Sequence, residues 1–93
     1  MNSEKIQELS KIYKSMEEQY IRFSHHFDNI QVETNELPGI PVDVAKVIKG
    51  MLGMEKDEWA NKIIPALDYQ RVVDLVKTEE GLNAVKLILM RMP

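Results

Sequence analysis

An all-α fold is predicted by three observations on this 93-residue chain. Apolar side chains recur at helical spacing through most of its length, no segment alternates apolar and polar residues as a half-buried strand does, and the clearest breakers, Pro38-Gly39 and Pro65, fall between periodic segments. The expected architecture is one long N-terminal helix over residues 3–32, a loop over 33–41, and four short helices in a compact bundle over 42–93, forming a single domain. A chain this small buries a modest fraction of its surface and often relies on disulfides, metal or a second copy of itself. With no Cys in the sequence, the first of these is excluded, together with thiolate catalysis and Cys-based zinc sites.

Asn2 and Ser3 are the candidate caps of the first helix, with Glu4 placed favourably at the positive end of its dipole. Ile6, Tyr13, Tyr20 and Phe27 follow one another at intervals of seven, and Leu9, Met16, Phe23 and Ile30 stand three residues after each. This a/d pattern predicts a continuous apolar stripe. Three aromatics at the a positions are too bulky for a slender two-stranded coiled coil, so they suit a broader seam in a bundle or between two copies. A helix of that length spans roughly 40 Å, whereas a compact domain of this size is nearer 30 to 35 Å across. The stripe is therefore expected to overhang its own domain and to form a homodimer interface.

Periodicity stops over residues 33–41, where Pro38-Gly39 makes a turn, Pro41 keeps Ile40 out of a helix, and Leu37 and Ile40 are expected to pin the loop to the core. Val44, Val47, Ile48, Met51 and Leu52 form the next helical stripe, with Gly53 as its stop. Gly50 inside that stripe disfavours helix by about 1 kcal/mol relative to Ala, which a close crossing by another helix would justify. Trp59, Ile63 and Ile64 belong to a third helix that Pro65 interrupts, and Pro65 is expected to open a fourth, carrying Tyr69, Val72, Val73 and Val76. Thr78 with Glu79 and Glu80 starts the last helix, which ends near Arg91. Leu82, Val85, Ile88, Leu89 and Met92 complete one face of it, and Leu87 and Met90 lie off that face, available to a second chain.

The net charge of −3 resides in the first half: up to Glu36 four basic residues stand against seven acidic ones, and from Leu37 onward eight face eight. That balance argues against a phosphate-tracking surface. The polar N-terminus carries no secretory signal and the longest apolar run, Leu87 to Met90, is far shorter than a membrane span, so a cytoplasmic protein is expected, without membrane partners.

No pattern of catalytic residues emerges. His25 and His26 are adjacent, which points them about 100° apart on a helix, whereas two metal ligands on one face need a spacing of three or four. Ser3, Ser10 and Ser24 share one heptad row beside the stripe and read as packing residues. The four glycines form no phosphate-cradling loop, and Asp57, Glu58, Glu79 and Glu80 complement helix dipoles. No enzyme activity, metal or cofactor is expected.

The function expected is that of a non-catalytic protein-interaction module, a small regulator or inhibitor of a larger bacterial or phage-type assembly, acting as a homodimer. The interface with itself or its partner protein is assigned to Ile6, Leu9, Tyr13, Met16, Tyr20, Phe23, Phe27, Ile30, Leu87 and Met90, and a second partner groove to Met51, Met54 and Trp59. Two alternatives stand beside it. One is a nucleotide-type sensor or sequestering protein with a pocket between chains, around Tyr13, Tyr20 or Trp59; the other is a transcription-associated DNA binder using a helix-turn-helix over residues 42–67. Asp57 and Glu58 give the candidate recognition helix the wrong charge for the major groove.

Overall fold

The computed structural model describes residues 3–92 and is mostly helical and compact, with extents of 33 × 27 × 22 Å. Asn2, one of the two expected caps, lies outside the described residues. Helix α1 covers Glu4–Ser15 and α2 covers Glu17–Ser24, followed by a 3-10 turn at His25–Phe27. After the loop come α3 (Val42–Leu52), a 3-10 turn (Gly53–Glu55) and α4 (Lys56–Asn61). A two-stranded antiparallel ladder, β1 (Ile63–Ile64) with β2 (Gln70–Arg71), encloses a 3-10 turn at Pro65–Leu67 and leads into α5 (Val72–Leu75) and α6 (Glu79–Arg91).

The single long helix expected over residues 3–32 is not formed. The Ser15 hydroxyl donates to the Ile12 carbonyl at 2.7 Å, and the Met16 N–H bonds Tyr13 O at 2.8 Å instead of the carbonyl four residues back. A serine that bonds back to the preceding turn bends or interrupts a helix in this way. Ser24 repeats the contact with Ile21 O at 2.7 Å, and the chain tightens to a 3-10 turn directly after it. At its N-terminus α1 is capped as expected, Ser3 Oγ accepting from the Ile6 N–H at 3.2 Å. Twelve residues make α1 only about 18 Å long, well inside the body of the domain, so the expected overhang disappears.

The stripe turns inward instead. Ile6, Leu9, Tyr13 and Tyr20 are buried, and Met16, Phe23 and Phe27 pack half-buried against the same core. Four rings meet in series, Tyr13 edge to face on Tyr20 at 5.7 Å, Tyr20 tilted against Phe23 at 6.1 Å and Phe23 edge to face on Phe27 at 5.3 Å between centroids, an edge-to-face pair adding about 0.5–1.5 kcal/mol beyond area burial. Their principal cover is α6, which lies along α1 and also touches α2, α3 and α5. Asn83 Nδ2 donates to Ser10 Oγ at 3.1 Å in the buried contact, and the Lys86 ammonium sits 5.5 and 5.4 Å from the centres of the Tyr13 and Tyr20 rings. These contacts advance in the same sense along both helices.

Because α6 is enclosed on several sides, its buried residues differ from the expected face. Leu87, expected to be free for a second chain, is 0% exposed, as are Ala84, Val85 and Leu89, while Leu82, Ile88, Met90 and Met92 are half-buried. Thr78 caps α6, its Oγ1 accepting from the Gly81 N–H at 3.0 Å.

Two local departures concern the middle of the chain. Pro65 starts a 3-10 turn and not a helix, and Asp68 and Tyr69 then take left-handed backbone (φ 58° for both), which turns the chain back so that Ile63 faces Arg71 and Ile64 faces Gln70. The fourth helix shrinks to Val72–Leu75. Gly50 does answer a close approach, but by a ring: a Cβ there would overlap the Phe27 side chain, which lies directly on the backbone of α3. Gly53 ends α3 with φ 55°, its N–H bonding Lys49 O.

A candidate docking groove along helix α3

Helix α3 buries Val44, Ala45, Val47 and Ile48, which leaves Val42, Lys46 and Gly50, one row at intervals of four, on its outer side. Residues 28–33 run alongside that row. Between them lie two hollows that share Ile30: one of about 550 Å³ lined by residues 28–33, Val42 and Lys46, and a more apolar one of about 390 Å³ lined by Ile30, Lys49, Gly50, Gly53, Met54 and Lys56. Val42 is 62% exposed and Met54 98% exposed, so a large apolar side chain stands free at each end. Lys46, between Val42 and Ile30, makes no ion pair among the described residues.

A polar clamp fixes the Met54 end. Glu36, in the loop, accepts at Oε1 from the Glu33 N–H (2.9 Å) and from Lys49 Nζ (2.7 Å), and its Oε2 lies 3.4 Å from Lys56 Nζ. Lys49 also donates to Gln31 O at 2.6 Å, tying the wall of the groove to its floor. The Glu33 N–H, with the two ammonium groups, pulls the Glu36 carboxyl down to a pKa of about 2 from its ordinary 4.5. A depressed carboxyl pKa means that the stabilisation is complete above the unfolded value and fades as pH falls toward the folded one. Glu36→Gln is accordingly expected to lower stability by a constant amount above about pH 5, and the deficit should shrink between pH 4.5 and 2. Urea titrations of both proteins across that range check it; a deficit that does not change with pH would show that the charge of Glu36 is immaterial.

The residues singled out from sequence separate into three sets. Ile6, Leu9, Tyr13, Tyr20, Leu87 and Trp59 are core; Met16, Phe23, Phe27, Ile30, Met51 and Met90 are half-buried; Met54 alone is free. Met54 and Trp59 do not share a groove, because Trp59 lines a separate hollow of about 140 Å³ with Leu52, Glu55, Glu58 and Lys62. The fold instead joins Met54 to Ile30, the last residue of the stripe, over the Phe27 ring that underlies Gly50. Val42, Lys46 and the Glu36 clamp were not singled out. Val42 had a signal, an apolar residue off its helix's stripe, whereas Glu36 lies 13 and 20 residues from its lysines and leaves none.

His25 Nδ1 lies 2.9 Å from Asp28 Oδ2 and His26 Nδ1 lies 3.1 Å from Phe23 O, both on the exposed side of the turn. Among the described residues no group of three His, Cys, Asp or Glu is placed to hold a metal ion, and no helix is long and apolar enough to cross a membrane. Burial, with the Glu17 and Asp43 carboxylates, pushes the Tyr13 hydroxyl up to about 12, and burial with Asp43 and Tyr13 also raises Tyr20. The Tyr20 hydroxyl is buried without a hydrogen-bond partner among the described residues. Since an unpaired buried hydroxyl is unfavourable, Tyr20→Phe is expected to be neutral or to stabilise by about 1 kcal/mol; a loss of similar size in chemical denaturation would contradict this. Compared with known protein families, with curated proteins and with solved structures, the chain finds no match.

Proposed function

We propose that this chain is a non-catalytic protein-interaction module, a small regulator or inhibitor that acts by binding a larger protein, and that the groove along α3 is its docking surface. The observation that supports this reading is Met54, 98% exposed on the wall of a ready-made apolar hollow. An unbranched, polarisable side chain held in water at the edge of a concave apolar surface has no role in the chain's own core, and suits a surface that adapts to a partner. Lys46 adds a cation that a partner's carboxylate would satisfy, between the two apolar ends.

No comparable observation favours the nucleotide or DNA readings. Tyr13, Tyr20 and Trp59 are enclosed by the chain's own residues, and the lysines of α3 are interleaved with Asp28, Asp43 and Glu36. The test is affinity capture from the native host with wild-type, Met54→Glu and Lys46→Glu baits, followed by binding measurements on the purified partner. Wild type is expected to bind at least about tenfold more tightly than either variant. Equal retention by all three baits, or none by any, would refute the groove as the docking surface.

A further inference from the structure

With no Cys in the chain, its methionine thioethers have no thiol to compete with them for an oxidant. The fold treats them unequally. Met16, Met51, Met90 and Met92 are half-buried and pack against the core, whereas Met54, in the 3-10 turn Gly53–Glu55, is 98% exposed and takes no part in that packing. Met51, near the end of α3, is close to it in sequence and has the opposite environment, so burial and not local sequence separates the two.

We infer that Met54 is a selective and reversible oxidation site, at which a hydroperoxide changes one edge of the α3 groove from apolar to polar without disturbing the fold. In this step a lone pair of the Met54 sulfur attacks the hydroxyl oxygen of the peroxide. A sulfur–oxygen bond forms as the oxygen–oxygen bond breaks, and the proton of the attacked oxygen passes to the departing one, which leaves as water or an alcohol. The thioether has then lost two electrons and become a sulfoxide, which is polar and chiral. Placed among core side chains, that oxygen would be a buried polar group in need of a partner. At Met54 it stays in water, on the rim of the hollow that Met54 lines with Ile30 and Gly53. The same exposure admits the enzymes that reverse the reaction, one for each sulfoxide epimer. There a dithiol supplies two electrons, the oxygen departs as water and the dithiol becomes a disulfide. The site stands whether or not the groove docks a partner.

The experiment is a time course with hydrogen peroxide on the folded chain, read by mass spectrometry of tryptic peptides. Met51 and Met54 share the peptide 50–56, whose fragment ions distinguish them. Met54 is expected to gain one oxygen at least about fivefold faster than Met16, Met51, Met90 or Met92. Protein oxidised at Met54 alone should keep the helical circular dichroism signal and urea midpoint of the untreated chain. Sulfoxide reductases of both epimer specificities, with dithiothreitol, should remove the oxygen. In Met54→Leu the peptide 50–56 should take up oxygen only at the slow rate of Met51. Equal rates at Met51 and Met54 overturn the inference, and so does a shifted midpoint after oxidation of Met54 alone or an oxygen that both reductases leave in place.

Discussion

Gly81→Ala is expected to be the most damaging single-methyl change in the chain. Gly81 lies in the first turn of α6 with ordinary helical backbone, and a Cβ placed on it would overlap the carbonyl and Cα of Leu75, at the end of α5. Both sides of that contact are backbone, so no rotamer change relieves it; one helix has to move off the other. Overpacking generally costs about 1–3 kcal/mol, and a clash between main chains belongs at the top of that range, even after the roughly 1 kcal/mol that Ala gains over Gly in a helix. A domain of this size loses about 4–8 °C of melting temperature per kcal/mol, so a fall of roughly 10 to 20 °C is expected. Gly50→Ala provides the contrast. Its Cβ would meet only the ring of Phe27, a half-buried side chain able to swing aside, and its cost should be a fraction of that at Gly81. Calorimetry on the two variants decides this, and equal losses would contradict the assignment of Gly81 to a backbone crossing.

Leu87→Asp is expected to abolish the fold altogether. The side chain is fully enclosed where α6 meets the rest of the domain, and the adjacent Lys86 is placed over Tyr13 and Tyr20. Burying an unpaired carboxylate costs several kcal/mol, comparable with the 5–15 kcal/mol total stability of an ordinary domain. Loss of the helical circular dichroism signal is the outcome expected. If Leu87 instead faced a second chain, the same substitution would give a folded monomer with its helical signal intact. Leu87→Ala, at about 2–5 kcal/mol, provides a graded version for which the folded state survives long enough to be measured.

These expectations also show what the sequence can and cannot convey. Spacing marked Ile6, Leu9, Tyr13 and Tyr20 as one apolar stripe, but it assigned them to an interface between copies, whereas all four are buried within the chain. It could not show that the helix breaks, because the break comes from the hydroxyls of Ser15 and Ser24 competing for carbonyls one turn back, and a serine can equally well leave its helix undisturbed. The caps at Ser3 and Thr78 and the stop at Gly53 were legible because each depends on one residue's own chemistry. The reversal at Asp68 and Tyr69 was not, since left-handed backbone is uncommon for a tyrosine and no glycine marks it. Ile30 and Met54 were both noticed, but separately: nothing in a linear pattern says that the stripe's last residue returns to the end of α3.

The difference between a stripe that seeks a second chain and a stripe already covered has an energetic signature. Where folding creates the interface between copies, stability rises with protein concentration by mass action. Where one chain covers its own stripe, stability carries no such dependence on protein concentration. The urea midpoint, measured over an about hundredfold range of low protein concentration, is the direct measurement. Burial of Tyr13, Tyr20 and Leu87 within one chain predicts a midpoint that does not move; a midpoint that climbs steadily with concentration would mean that a second chain completes the core.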